Sequence, residues 1–183
     1  MSEARPRHLV LVGLMGAGKS TVGPRCAKRL GRPFVDTDEV IASAAGMSVA
    51  ELFAREGEPA FRALERDAVA EAGAAIVPSV IAVGGGAVVD AENRRLLREA
   101  GFVVWLRANP AQLAARVGDG RGRPLLDQAP LGDTAATLAG LEARRRSAYE
   151  AAAHTTVDTD GLAVAAVVDE VLARFATAAE RVP

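Results

Sequence analysis

Residues Gly13–Ser20 constrain the fold of this chain more than any other segment. Their sequence, Gly-Leu-Met-Gly-Ala-Gly-Lys-Ser, matches the phosphate-binding pattern G-x-x-x-x-G-K-[ST] in full. The apolar run Leu9–Val12 predicts a short buried strand before the motif, and Ser20–Leu30, followed by Gly31, predicts a helix after it. This order of strand, glycine-rich loop and helix is typical of nucleoside triphosphate binding. The alternative, a glycine turn with an incidental Lys-Ser pair, does not account for that context.

The residue types of this loop suit a triphosphate and its cation. Small residues let backbone N–H groups converge on phosphate oxygens, and the N-terminus of the helix adds partial positive charge. We expect Lys19 to reach the β- and γ-phosphates and the Ser20 hydroxyl to bind Mg²⁺. The predicted ATP-binding residues of this segment are Gly16, Ala17, Gly18, Lys19, Ser20 and Thr21.

The rest of the chain alternates short apolar runs with helical segments. Four more runs predict strands, and they lie at Phe34–Val35, Val80–Val83, Phe102–Leu106 and Thr155–Val157. Strands that alternate with helices predict a three-layer α/β/α fold around a central, mainly parallel, five-stranded sheet. The 183 residues suit one domain, 1–183, with a single core.

Charge and cysteine content exclude several classes of function. The net charge of −1 provides no overall field for nucleic acid or an anionic membrane, so neither is an expected partner. Cys26 is the only cysteine, which rules out an internal disulfide. Segment 1–8 is polar, so we do not expect it to act as a signal peptide, and no apolar run approaches the length of a membrane span. We therefore expect a cytoplasmic protein, and a monomer.

Two aspartates follow the second predicted strand. In an extended segment, residues i and i+2 share a face, so Asp36 and Asp38 can both point into one cleft. One carboxylate suits support of Mg²⁺, and the other suits a hydrogen bond from an acceptor hydroxyl. The alternative is that either residue only caps the next helix. Because Gly84–Gly86 contains no acid after the third strand, Asp36 is the better candidate for metal support.

An ordered set of motifs resembles the shikimate kinase family over about residues 8 to 160. Beyond the phosphate loop, the set comprises Asp36-Thr37-Asp38, Gly57-Glu58 with Phe61-Arg62, Gly84-Gly85-Gly86, and Arg123-Pro124-Leu125-Leu126. The phosphate loop is shared by many nucleotide-binding proteins, whereas the ordered set is specific. The resemblance implies a P-loop kinase fold and transfer of phosphate from ATP, with Mg²⁺, to the 3-hydroxyl of shikimate in aromatic amino-acid biosynthesis.

The resemblance also implies the acceptor site, within a segment of about 37–72 and beyond it. Arg62 and Arg145 would hold the shikimate carboxylate, for which the planar guanidinium is well suited. Asp38 would hold ring hydroxyls, and Gly84, Gly85 and Gly86 would allow the backbone to approach the ring closely. Among Arg144, Arg145 and Arg146, the family pattern of an arginine four residues before a tyrosine selects Arg145, although Ser147-Ala148 replaces the usual Pro-Leu. The alternative for these arginines is a solvated helix face.

The segment from about 117 to 131 is rich in Gly, Arg and Pro and predicts a lid over the nucleotide. Arg123 matches the lid arginine of the family and would stabilise charge on the transferred phosphoryl group. Arg116, just before the lid, is a second candidate on the nucleotide side, whereas Arg121 has no motif support. The alternative is a basic surface loop.

Two rival functions remain at the level of sequence. One is a kinase for another small acceptor, such as gluconate or a nucleoside monophosphate, and it would differ in the acceptor pocket. The other is a nucleotide-dependent switch that binds a protein partner, which would have no need of Arg62.

Overall fold

The computed structural model describes residues 8–118, 126 and 134–180. Its strands form one five-stranded sheet of order β2–β3–β1–β4–β5, in which each neighbouring pair is parallel. The strands are β1 (His8–Val12), β2 (Phe34–Asp36), β3 (Val80–Ala82), β4 (Gly101–Arg107) and β5 (Thr155–Asp158). The predicted five-stranded sheet is confirmed, and within the described residues it is parallel throughout.

The central strands are apolar because helices cover both faces of the sheet. All five residues of β1 are buried, and β4 contributes the buried run Val103–Leu106 to the same core. A strand covered on both faces shows a continuous apolar run instead of alternation, which is why β1 and β4 were recognisable in the sequence.

Helices form the two outer layers. Helices α1 and α7 pack together on one side, whereas α3, α4, α5 and α6 are linked by contacts with one another on the other. The bounds are α1 (Lys19–Leu30), α2 (Thr37–Ala45), α3 (Val49–Ala74), α4 (Ala91–Ala100), α5 (Pro110–Val117), α6 (Thr134–Ala152) and α7 (Val164–Glu180), with a 3₁₀ turn at Ala87–Val89. The three-layer architecture predicted from the sequence is confirmed.

Local capping signals fix the helices that carry the site. Asp36 caps α2 by accepting a hydrogen bond from the Asp38 backbone N–H, and Gly46 ends α2 in the left-handed conformation. Ser48 and Glu51 form a reciprocal capping box at the start of α3. Gly57, at φ 80° and ψ 170°, interrupts α3, so that the part of the helix that bears Arg62 takes its own direction.

Parallel strands bring three chain segments to one edge of the sheet. The segments that follow β1, β2 and β3 leave the carboxyl ends of three adjacent strands. The phosphate-binding motif follows β1 and the three glycines follow β3, whereas the two aspartates lie where β2 passes directly into α2. Ligands of open α/β sheets bind outside this edge, so the topology alone puts the candidate residues next to one another.

Candidate active site

The phosphate-binding loop connects β1 to α1. Gly16 and Gly18 have φ angles of 80° and 100°, a region that residues with a Cβ rarely adopt, and Gly18 is the residue that caps α1. These turns place the N-terminus of α1 at the carboxyl edge of the sheet. The Lys19 ammonium donates to the carbonyl oxygens of Gly13, at 2.7 Å, and Leu14, at 3.2 Å, so its charge lies over the loop.

Ser20 and Asp36 meet across the gap between α1 and β2. The Ser20 hydroxyl donates to Asp36 Oδ2 at 3.0 Å, while the other oxygen of Asp36 caps α2. Asp36 therefore serves as a cap and also faces the phosphate loop, so the two interpretations of this residue are compatible. A hydroxyl and a carboxylate are oxygen ligands of the kind Mg²⁺ prefers, and Mg²⁺ takes few protein ligands because phosphates and water supply the others. The pair fits such an ion, and the described ranges contain no group of three or more His, Cys, Asp or Glu side chains that could hold a metal.

Asp38 lies deeper in the same cleft. Its Oδ1 atom is buried and has no hydrogen-bond partner among the residues that the structure describes. Burial raises the pKa of the Asp38 carboxyl and the Asp36 charge raises it further, whereas Lys19 and Arg62 oppose the shift. A buried carboxylate oxygen without a partner is costly, which makes it ready to accept a hydrogen bond from a hydroxyl group.

Arg62 is held in place by two glutamates on its own helix. Its guanidinium donates to Glu65 Oε2 at 2.7 Å and to Glu58 Oε1 at 2.9 Å. The Glu65 side chain is only 2% exposed, and burial raises its pKa while Arg62 opposes the shift. These pairs fix the rotamer of Arg62, whose side chain is 24% exposed and borders the cleft. The sequence analysis did not single out Glu65, although its position three residues after Arg62 is a signal for this ion pair.

Two of the three glycines, Gly84 and Gly86, are packed too closely for side chains, whereas a Cβ on Gly85 would make ordinary contacts of 3.4 Å or more. An ideal Cβ on Gly84 would lie 2.7 Å from Glu65 Oε1 and 2.8 Å from Asp38 Oδ1, and one on Gly86 would lie 2.6 Å from both Nη atoms of Arg62. Buried Thr37, also absent from the sequence-based site, accepts a hydrogen bond from the Gly84 N–H at 3.3 Å. The glycines therefore let Asp38, Glu65 and Arg62 crowd against one stretch of backbone.

Arg145 approaches this stretch from helix α6. It is buried, whereas Arg144 and Arg146 are exposed, so one of three adjacent arginines points inward. Arg145 Nη1 donates to the Gly85 carbonyl oxygen at 3.1 Å, and the Tyr149 hydroxyl donates to the same oxygen at 2.6 Å. The structure thus brings both Arg145 and Arg62 to the glycine segment.

Arg116 marks the nucleotide side of the cleft. It donates to the Thr159 side chain and backbone, both at 2.9 Å, and more weakly to the Gly16 carbonyl at 3.4 Å. Buried Thr159, just after β5, is a further site residue that no motif in the sequence singled out. Arg123 and most of the predicted lid, residues 119–125 and 127–131, lie outside the described residues.

One cleft of about 700 Å³ joins the two groups of residues. At one end it is lined by the phosphate loop and Arg116, and at the other by Asp38, Arg62 and Arg145. Phe53 and Phe61, with ring centroids 4.6 Å apart, also line the cleft. A phosphate-binding loop that shares its cleft with a second polar pocket defines a P-loop kinase for small molecules.

Comparison with known proteins identifies the family. The shikimate kinase family model matches residues 15–176, so the chain belongs to the shikimate kinase family. The shikimate kinase of Symbiobacterium thermophilum is 49% identical over 177 residues, which are 95% of this chain and 99% of that protein. The shikimate kinase of Moorella thermoacetica is 46% identical over 166 residues, or 91% of this chain and 92% of that one.

Solved structures agree with this assignment. Shikimate kinase from Acinetobacter baumannii in complex with shikimate superposes with a TM-score of 0.88 at 34% identity, covering 96% of this chain and 95% of that chain. A gluconokinase from Sinorhizobium meliloti reaches a TM-score of 0.57 at 23% identity, so it shares the fold alone. The predicted fold class and family are confirmed.

Proposed function

We propose that this protein transfers the γ-phosphoryl group of ATP to the 3-hydroxyl of shikimate, giving ADP and shikimate 3-phosphate. This reaction belongs to the pathway that supplies chorismate and the aromatic amino acids. The observation that carries the proposal is the single cleft in which a phosphate loop meets Asp38 and two inward-pointing arginines. Family membership and the structural likeness to a shikimate-bound relative support it.

The acceptor pocket has the chemistry of a hydroxylated acid. Arg62 and Arg145 bind the carboxylate of shikimate from two sides, and charge-assisted hydrogen bonds of this kind are among the strongest that side chains make. The crowded glycine segment lets the ring lie against backbone. Asp38, whose buried Oδ1 has no partner among the described residues, accepts a hydrogen bond from the 3-hydroxyl and directs the hydroxyl oxygen towards the nucleotide.

The nucleotide lies along the phosphate loop, with Gly16, Ala17, Gly18, Ser20 and Thr21 around its phosphates. Lys19 stabilises negative charge on the β- and γ-phosphates, and Arg116 contributes on the same side. Ser20 and Asp36 would hold Mg²⁺, which when bound neutralises charge on the phosphate oxygens. We place Arg123 on the transferred phosphoryl group, within a lid of about 117–131 that excludes water as a competing acceptor.

The transfer is a displacement at phosphorus. The 3-oxygen of shikimate forms a bond to the γ-phosphorus while the bond to the β,γ-bridging oxygen breaks, and ADP leaves with that oxygen. The hydroxyl proton passes to Asp38 late in the step, because a loose transition state needs little help from a base. Asp38 thus acts mainly by orienting the hydroxyl.

Four further properties belong to the proposal. The chain acts as one domain, 1–183, as a monomer, and in the cytoplasm, with small molecules and no nucleic acid or membrane as partners. Within residues 8–118 and 134–180, no helix combines the length and apolar composition that a membrane crossing requires.

The test is ADP release from ATP with Mg²⁺, measured with and without shikimate. We expect strong shikimate-dependent turnover that is lost in Asp38→Asn and Arg62→Ala. Arg66→Ala is the matched control, because Arg66 lies one turn further along α3 and pairs with Asp90 at 3.3 Å outside the cleft lining. Turnover with gluconate or a nucleoside monophosphate in place of shikimate would refute the proposed substrate.

A further inference from the structure

Tyr149 is a buried residue that the reaction described so far does not use. Its side chain is inaccessible to solvent, and its ring stacks on Trp105 with centroids 5.1 Å apart and planes 12° apart. Burial raises the pKa of the Tyr149 hydroxyl above its usual value, so the group keeps its proton and acts as a donor. The hydrogen bond to the Gly85 carbonyl, at 2.6 Å, is therefore directed from tyrosine to backbone.

The Gly85 carbonyl oxygen accepts from two donors on one helix. Tyr149 and Arg145 lie four residues apart on α6, so their side chains emerge on the same face. A carbonyl oxygen has two lone pairs, and the two donors occupy both of them. Arg145 therefore shares this acceptor with tyrosine, and one nitrogen of its guanidinium is fixed at 3.1 Å.

Gly85 also rests on the phosphate loop. An ideal Cβ on Gly85 would lie 3.4 Å from the Gly13 carbonyl oxygen and 3.5 Å from the Met15 nitrogen. The Gly85 peptide is thus held between the phosphate loop on one side and the donors of α6 on the other. A shift of this peptide would move the guanidinium of Arg145 with it.

We propose that Tyr149 is a positioning residue for the carboxylate of the acceptor. Its hydroxyl holds the Gly85 carbonyl in place by a hydrogen bond. The position of that carbonyl in turn determines where the guanidinium of Arg145 lies in the cleft. Without the hydroxyl, Arg145 is the only donor of this pair, and it turns further towards the Gly85 oxygen and away from the carboxylate. This inference rests on the proposed function, because it assigns Arg145 to an acidic acceptor.

The direct test is Tyr149→Phe, which keeps the ring and its packing and removes only the donor. A neutral hydrogen bond accounts for a modest effect, so we expect KM for shikimate to rise about fivefold to tenfold. We expect kcat and KM for ATP to stay within about twofold, because the removed hydroxyl donates to Gly85 and not to a residue of the phosphate loop. An unchanged KM for shikimate would overturn the inference.

Two further variants separate positioning from packing. Trp105→Phe loosens the stack on the tyrosine ring but leaves the hydroxyl donor, so we expect a lower Tm and a KM for shikimate within about twofold of wild type. In an Arg145→Lys background, the Tyr149→Phe change should alter KM by less than about twofold, because the two residues act as one unit. If the KM effects of the two substitutions multiply in the double variant, the tyrosine acts only through packing. The same conclusion follows if Trp105→Phe raises KM for shikimate as much as Tyr149→Phe does.

Wild-type kinetics distinguish this failure from failure of the proposed function. If the wild-type protein phosphorylates shikimate and Tyr149→Phe behaves identically, the positioning role alone is wrong. If the wild-type protein does not phosphorylate shikimate, the assignment of Arg145 to its carboxylate is wrong as well.

Discussion

Substitution Gly84→Ala places a methyl group between two carboxylates of the acceptor pocket. The new Cβ would lie 2.8 Å from Asp38 Oδ1 and 2.7 Å from Glu65 Oε1. Gly84 is not among the glycines with positive φ, so alanine strains no backbone angle there and acts through these contacts alone.

The size of the effect follows from the overlap. Ordinary van der Waals contact of a Cβ begins at 3.4 Å, so the Asp38 oxygen must retreat by 0.6 Å, the difference between 3.4 and 2.8 Å. A misplacement of about 1 Å costs on the order of a hundredfold in rate, so we expect kcat to fall about tenfold to a hundredfold. Overpacking of a filled site costs about 1–3 kcal/mol of stability, which a folded domain of this size tolerates.

The assay is steady-state ADP release with shikimate, alongside a thermal melt. Gly86→Ala is the matched control, because its methyl group would meet the Arg62 guanidinium at 2.6 Å and spare Asp38. We expect Gly86→Ala to raise KM for shikimate more than it lowers kcat. A folded Gly84→Ala variant with wild-type kcat would refute the argument that Asp38 needs its present position.

Four other predictions follow from single contacts. Asp36→Asn keeps the cap on α2 but loses a charge, so the Mg²⁺ concentration for half-maximal turnover should rise about tenfold, as measured by titration. Arg116→Ala removes the link between the phosphate loop and the residue after β5, and KM for ATP should rise while KM for shikimate does not. Arg98→Ala removes a donor shared by three carbonyls at the end of α6, which should lower stability by about 1 kcal/mol in urea unfolding. Burial, with Arg98, lowers the pKa of His154, whose Nδ1 accepts a backbone N–H of β4. The unfolded state therefore binds the proton more readily, stability rises with pH from that lowered pKa up to about 6.5, and His154→Asn should flatten this rise.

The sequence predicted the parts of the site that are contiguous in the chain. Gly13–Ser20 carries its own strand and helix signals, so its structure and position followed from local rules. Asp36 and Asp38 both line the cleft, because they lie at the carboxyl end of a strand that runs parallel to its neighbour in the sheet. The resemblance selected Arg145, through the family pattern of an arginine four residues before a tyrosine, and the structure buries it while the adjacent arginines stay exposed.

Residues whose role depends on tertiary packing were not predicted. In the sequence, Glu65 resembles any charged residue on the exposed face of a helix, and only the fold shows that it is buried against Arg62. Thr159 joins the site only because Arg116, 43 residues earlier, reaches it from the last turn of α5. The role of Arg123 remains a prediction from the resemblance.

Strand ends also differed slightly from expectation. β4 begins at Gly101 and ends at Arg107, one residue beyond the predicted run at each end, because pairing with β1 and β5 extends it. An apolar pattern indicates which residues are buried, whereas hydrogen bonding between strands determines where a strand begins and ends.

The central claim is tested most directly by identifying the product of the reaction. Shikimate, ATP and Mg²⁺ are incubated with the protein, and the mixture is followed by phosphorus NMR with proton coupling. The account predicts one new phosphate monoester, coupled to the proton on carbon 3 of shikimate and formed in equal amount with ADP. Inorganic phosphate in place of an ester, or an ester on another hydroxyl, would contradict it.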